Sequence, residues 1–307
     1  MEKVTAGYTS QGIRQIAALA AFLPEISRFR RLAPVAPKPD VVIGWGLKPT
    51  SQRARQYAQR HRLPYLALED GFLRSLGLGS QGYQPVSMVV DQRGIYYDAS
   101  RPSDLEVLLN HADFSAQELG RAEHCIKQLR AHRLSKYNHA PDYPLELPDR
   151  AHVLVVDQTA GDASIAYGQA NAESFTAMLE AALAEHPDAD ILIKVHPDVI
   201  AGKKRGHFSR AFDHPRCRVV GDDLNPWALF DCVEHVYVVT SQLGFEALLA
   251  GKQVHCFGQP FYAGWGLTHD ALDCPRRQRQ RRLTEVFAGA YLRYTRYATP
   301  YTREASS

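Results

Sequence analysis

The stretch NHAPDYPLELPDRAHVLVVDQTAGD (138–162) decides how the chain is divided. Its first part, 138–152, holds three prolines and no hydrophobic period, and reads as a linker. HVLVV (152–156) is a short apolar, β-branched run of the kind that forms a buried strand. The exit of that strand carries Asp157 and, five residues on, Asp162, in a loop of small residues ahead of the helical pattern SFTAMLEAAL (174–183). A linker followed by strand, acidic loop and helix marks the start of a second α/β unit.

Reading outward, the first half alternates in the same way. DVVIGWG (40–46), LPYLALEDG (63–71) and PVSMVVD (85–91) read as strands, and SQRARQYAQRH (51–61) as a helix. The segment 101–134 reads as one long polar helix, with Ser103 as N-cap and Glu106 completing a capping box. Beyond the linker, strands are expected at 190–196, 217–222, 235–240 and 253–258, and helices at 173–185, 226–232 and 242–251. An amphipathic, tyrosine-rich helix over 282–298 closes the chain, and TPYTREASS at its end reads as a further linker. The alternation predicts parallel sheets. The fold class is therefore α/β and GT-B-like: two Rossmann-like domains (1–145 and 146–275) facing across a cleft, and a closing helix and tail (276–307) returning to the first. The first domain is expected to take an acceptor and the second a nucleotide donor.

Bulk properties exclude several classes. The 307 residues are 45% apolar and 22% charged, the profile of a globular protein. A balance of 36 basic against 33 acidic residues predicts no polyanion partner by itself, and nucleic acid is not expected. Five scattered cysteines, with no CxxC pair, argue against a disulfide framework or a zinc site and for a reducing compartment. The first residues lack signal-peptide features, and no apolar window is long enough to span a bilayer. A cytoplasmic location is expected. PRRQRQRR (275–282), five arginines in eight residues, reads either as a solvated loop or as a contact for anionic lipid headgroups, the functional reading preferred here.

Reactive side chains gather at the carboxyl ends of the expected strands, where α/β sheets bind ligands. Glu69 and Asp70 stand at one end, Asp157 and Asp162 at a second, and Lys194, His196 and Pro197 at a third. Thr240, Ser241 and Gln242 open a helix whose first N–H groups favour an anion, and Lys194 and His196 suit a phosphate held against it. Glu246, one turn into that helix, either reaches ribose hydroxyls or is an exposed helix residue. The acidic DAD (188–190) sits at the wrong end of its strand for the cleft and is assigned to a turn, so no metal and no cofactor are expected.

LEDGFLRSLGLG (68–79), DQRGIYYDASRPSDLE (91–106), LSKYN (134–138), DQTAGDASIAYG (157–168), KVHPDV (194–199) and VVTSQLGFEALLAGKQVHCFGQPFYAGWGLT (238–268) together resemble the capsule polysaccharide synthesis family. The resemblance is to the N-terminal module of its KpsC-type retaining β-Kdo transferases. It implies transfer of Kdo, an eight-carbon acidic sugar, from CMP-Kdo, with β-2,4 linkage. The implied acceptor is a short Kdo chain on lysophosphatidylglycerol at the inner-membrane surface, with a second transferase module and other capsule assembly proteins as partners. In the family's motif the nucleophile corresponds to Asp162. Asp157 and Asp70 take supporting places, and Glu69 is the candidate acid/base, on the order of 5 Å from Asp162 if the pair follows glycosidase geometry. Arg74, Tyr262 and Trp265 are assigned to the sugar or acceptor. The rival readings are a GT-B enzyme using a UDP-sugar, an epimerase-like hydrolase on the same fold, or a non-catalytic module that docks capsule assembly proteins.

Overall fold

A computed structural model of the chain describes residues 4–33, 36–195, 197–200, 202–208, 214–299 and 302–306. The first half contributes β1 (Val4–Tyr8), β2 (Ile26–Arg31), β3 (Val41–Trp45), β4 (Tyr65–Asp70) and β5 (Ser87–Asp91). The second contributes β6 (His152–Val156), β7 (Asp190–Lys194), β8 (Cys217–Val220), β9 (His235–Val238), β10 (Gln253–Cys256) and β11 (His269–Asp270). The C-terminal segment adds β12 (Thr295–Ala298) and β13 (Ala305–Ser306). These strands form two sheets, of order β13-β12-β5-β4-β3-β1-β2 and β11-β10-β9-β6-β7-β8. The sheets carry the two halves of a GT-B-like fold, and the chain ends by adding its last two strands to the first sheet.

The second sheet is parallel throughout, with β6 at its centre and every residue of that strand buried. The first sheet departs from the expected parallel arrangement at β5, which runs antiparallel to β4. A parallel return needs a crossover, usually a helix. The 71–86 connection holds only a single 3₁₀ turn, Gly79–Gln81, so the chain doubles back. β12 then pairs antiparallel with β5.

Three helical expectations are corrected. The 101–134 segment is two helices, Asp104–His111 and Ala116–Ala131, and the second has the full capping box, Ser115 with Glu118. Ser103 does cap the first helix, but the Glu106 carboxylate turns away to Arg276 (2.7 Å) and Arg277 (3.4 Å). The closing segment is helical only over Leu283–Tyr294, the last seven residues as a π-helix, and its end is β12.

The arginine run 275–282 is largely internal stitching. Arg281, 5% exposed, donates to the carbonyls of Leu109 and Ala112, the unsatisfied end of the Asp104–His111 helix. Arg277 donates to the carbonyls of Pro260 and Ala263, and Arg279 pairs with Asp113. A run committed to carboxylates and carbonyls offers little charge to a lipid surface, which corrects the headgroup reading. Arg277→Met is expected to lower the melting temperature by several degrees, checked by calorimetry, because it leaves Glu106 short of a cation and two carbonyls without a donor.

The two halves share one apolar core rather than meeting across a wet seam. Phe72, from the first, packs on Phe261 (ring centroids 4.7 Å) and on Tyr291 of the closing helix (5.1 Å). That core fixes the cleft walls relative to one another.

Candidate active site

Glu69 ends β4 with 6% of its surface exposed, and its Oε1 accepts from Lys48 Nζ at 2.8 Å. Its Oε2 is buried without a partner. Lys48 was not anticipated, although it lies just past the strand end GWG. Its loop is held by four hydroxyl contacts. Leu47 N donates to Tyr97 Oη (2.9 Å); Tyr65 and Ser51 donate to the Gly46 carbonyl; Ser51 also donates to the Lys48 carbonyl. Gly46 has φ +40°, and a Cβ there would lie 2.3 Å from the Tyr97 hydroxyl, so only glycine fits. Burial works against the Lys48 charge, but the Glu69, Asp70 and Asp162 carboxylates outweigh it and hold the ammonium above the usual lysine range.

Asp162 belongs to the other half of the molecule. It caps the short helix Ala163–Tyr167, accepting from Ser164 N at 2.9 Å, and is exposed. That helix is fastened to the first half: Tyr167 donates to the Leu47 carbonyl (3.5 Å), Ala99 N donates to the Tyr167 carbonyl, and Gln169 Nε2 donates to the Ala99 carbonyl. These contacts bring Asp162 into the electrostatic environment of Lys48 and of Tyr96. The Tyr96 phenol is pushed well up by burial and then by Glu69, Tyr97, Asp70 and Asp162. The helix that Asp162 caps is therefore tied to the loop that carries Lys48, and Glu69, Asp70 and Asp162, from two sequence regions some 90 residues apart, all favour the charge on that lysine.

Asp157 faces inward. It is 8% exposed, accepts from the backbone N–H groups of Gln158 and His207, and a Cβ on Gly206 would lie 2.1 Å from its Oδ2. Burial lifts its carboxyl to about 6, against the two N–H groups. It shapes the loops around the site. Thr240 is likewise occupied, giving and receiving hydrogen bonds with Gln158 and Ser164. The anion seat expected at residues 240–242 is corrected. The helix is Leu243–Leu249, and its first N–H groups are taken by Ser241 Oγ, Ser241 O and Gln242 O. Lys194 donates to the Asp222 carbonyl, and burial lowers its pKa. His196 and the Pro197 side chain lie outside the described residues.

Gln242 and Glu246 clasp the two halves together. Gln242 Nε2 donates to the Phe72 carbonyl at 2.8 Å, and Glu246 Oε1 accepts from Lys136 N at 2.9 Å. Glu246 is 4% exposed, so it is neither a ribose ligand nor an exposed helix residue. Burial raises its carboxyl from 4.5 to about 7. A proton is thus held more tightly in the folded chain than in the unfolded one. The associated stability is complete below about 4.5 and is lost as pH rises through about 7, on the order of 3 kcal/mol. Glu246→Gln, which keeps both hydrogen bonds without the charge, is expected to raise the melting temperature at pH 8 and leave it nearly unchanged at pH 5.

Three further assignments are corrected by burial. Arg74 is 7% exposed and bonds Asp70 (3.1 Å), Ser75 and the Tyr83 carbonyl, so it braces Asp70 and its own loop rather than meeting a sugar acid. Tyr262 and Trp265 are fully buried. Tyr262 donates to the Ser241 carbonyl, and Trp265 donates to the Phe261 carbonyl (2.9 Å) with Arg277 over its ring. Neither ring has surface to give a sugar. Among the described residues, no group of three or more His, Cys, Asp or Glu side chains could hold a metal ion.

Two α/β domains, each built on a sheet with its site residues at the strand ends, define a GT-B-like protein. Its family is equally plain: the model of the capsule polysaccharide biosynthesis proteins matches residues 40–147 and 146–302, and the chain belongs to that family. It is 47% identical, over 97% of its length, to the capsule polysaccharide modification protein LipA of Neisseria meningitidis, and covers 44% of that protein. The chain thus spans less than half of the LipA sequence. The solved β-Kdo 2,4 transferase of Thermosulfurimonas dismutans KpsC superposes with TM-score 0.92 at 44% identity, covering 100% of this chain and 96% of that one. The β-Kdo 2,7 transferase of the same KpsC gives 0.73 at 30%, with the same coverage.

Proposed function

We propose that the chain is a retaining β-Kdo transferase module that uses CMP-Kdo and extends an acidic acceptor through a β-2,4 linkage. The observation that carries this reading is that the helix capped by Asp162 is fastened, through Tyr167, to the loop whose Lys48 pairs with Glu69, in a chain similar over its full length to the 2,4 transferase of KpsC. Asp162 attacks the anomeric carbon, the bond to the CMP oxygen breaks, and a covalent Asp–Kdo ester remains. An acceptor hydroxyl, losing its proton to Glu69, then displaces Asp162, and two inversions give retention. Arg74 orients Asp70 beside Glu69. CMP is expected near the carboxyl ends of β6, β7 and β9, the margin where parallel α/β sheets bind ligands. One phosphate needs less neutralisation than two, so activity is expected to survive EDTA. The acceptor is taken to be a Kdo chain on lysophosphatidylglycerol at the cytoplasmic face of the membrane.

Intact-protein mass spectrometry after incubation with CMP-Kdo alone tests this. A gain of one Kdo unit, absent in Asp162→Asn, is expected. If wild type shows neither adduct, turnover nor CMP release with acceptor present, the transferase reading is wrong and a docking module takes its place.

A further inference from the structure

The net charge of +3 hides a segregation. Residues 1–62 carry eleven lysines and arginines against three acids, whereas the remaining 245 carry 25 against 30. The strands of this basic segment, β3, β1 and the edge strand β2, build one side of the first sheet. β4, β3, β1 and β2 are mutually parallel, so their carboxyl ends share one margin, with Glu69 and Asp70 at its inner end. Moving outward, that margin presents Lys48 after β3, then Arg14 on the helix Gln11–Arg14 after β1, then Arg30 and Arg31 ending β2. The helix is seated on the margin: a Cβ on its Gly12 would lie 3.2 Å from the indole nitrogen of Trp45, the last residue of β3. Arg14 and Arg31 are exposed, and among the described residues neither is paired with a carboxylate, unlike the arginines of 276–282. With strands about 4.8 Å apart, β2 lies roughly 14 Å from β4.

We propose that this margin is a track for a polyanionic acceptor, with its reacting hydroxyl at Glu69 and its negative groups against Arg14, Arg30 and Arg31. The inference rests on the transferase reading and adds which residues hold the acceptor and in which direction it runs. Glu69, Asp70 and Asp162 repel an anion at the reacting end, and the unpaired arginines attract it farther out, so an acidic chain is held in one polarity. In the other direction the sheet continues into the antiparallel β5 and β12, so the parallel margin ends at β4.

The test compares two single charge reversals at low salt, with a lipid-free synthetic Kdo oligosaccharide as acceptor. Arg31→Glu alters the track. Arg60→Glu makes the same charge change on the exposed face of the helix Gln52–His61, which starts after β3 and ends before β4, and so near the opposite margin. Arg31→Glu is expected to raise the acceptor KM about tenfold, with the difference fading in high salt. Its kcat and its acceptor-free Asp162 adduct should equal wild type, and Arg60→Glu should leave KM unchanged. Equal effects of the two variants, or none from Arg31→Glu, overturn the track. Loss of binding to phosphatidylglycerol vesicles by Arg31→Glu, with KM for the soluble acceptor unmoved, assigns the arginines to lipid headgroups instead and also overturns it. If wild type forms no adduct, the transferase reading itself has failed; calorimetric titration of the oligosaccharide into wild type and Arg31→Glu then decides the track alone, equal affinities overturning it.

Discussion

Asp162→Asn is expected to reduce turnover roughly 10⁴-fold and to remove the Kdo adduct, while the protein folds as well as wild type. Asparagine is the informative replacement because Asp162 has two tasks. One is structural: its Oδ1 caps the Ala163–Tyr167 helix through Ser164 N, and that helix carries Tyr167, which ties the loop to the Lys48 side of the cleft. Asparagine caps about as well as aspartate, whereas alanine is expected to cost about 1 kcal/mol there. The other task is chemical, and an amide cannot form the ester with the anomeric carbon. If Asp162→Asn loses activity and keeps its melting temperature, the loss belongs to the chemistry. If Asp162→Ala and Asp162→Asn lose activity together with thermal stability, the carboxylate is structural and the nucleophile lies elsewhere.

Much of this was legible in the sequence because it depends on strand ends. Short apolar runs mark β3, β4, β6, β7 and β9, and the carboxyl ends of parallel strands are where ligands bind, so Glu69, Asp157 and Asp162 stood out from position alone. β1 and β2 did not stand out, since VTAGY and ISRFRR are short, interrupted by glycine or arginine, and lack alternation. The site residues that were misread share one cause. Arg74, Tyr262, Trp265 and Glu246 lie in motifs near the cleft, but nothing local tells a residue facing the cleft from one packed behind it. The partners that bury them, Tyr83, Ser241, Phe261 and Lys136, come from elsewhere in the chain or from tight turns. Lys48 was missed for the opposite reason: a single lysine after a strand is common, and only the folded chain shows that Glu69 answers it.

Lys48→Met is expected to lower kcat on the order of 10²-fold near neutral pH. Glu69 is buried, its Oε2 has no partner, and Lys48 is the cation that its Oε1 meets at 2.8 Å. Removing that cation leaves a buried carboxylate without its compensating charge and without the contact that positions it as a base. The formation of the Asp162 adduct in the absence of acceptor should change less than turnover, because the proton that Glu69 takes belongs to the acceptor. Lys48→Arg keeps the charge but not the compact ammonium, and is expected to recover only part of kcat. A merely structural lysine would give a different pattern. Both variants would then lose adduct formation and turnover in parallel, with a shared fall in melting temperature. The same pair of variants separates the two duties available to Lys48 within the proposed reaction. A KM for CMP-Kdo raised about tenfold in Lys48→Met, with adduct formation slowed as much as turnover and the melting temperature unchanged, would take the lysine away from Glu69 and assign it to the carboxylate of the incoming sugar.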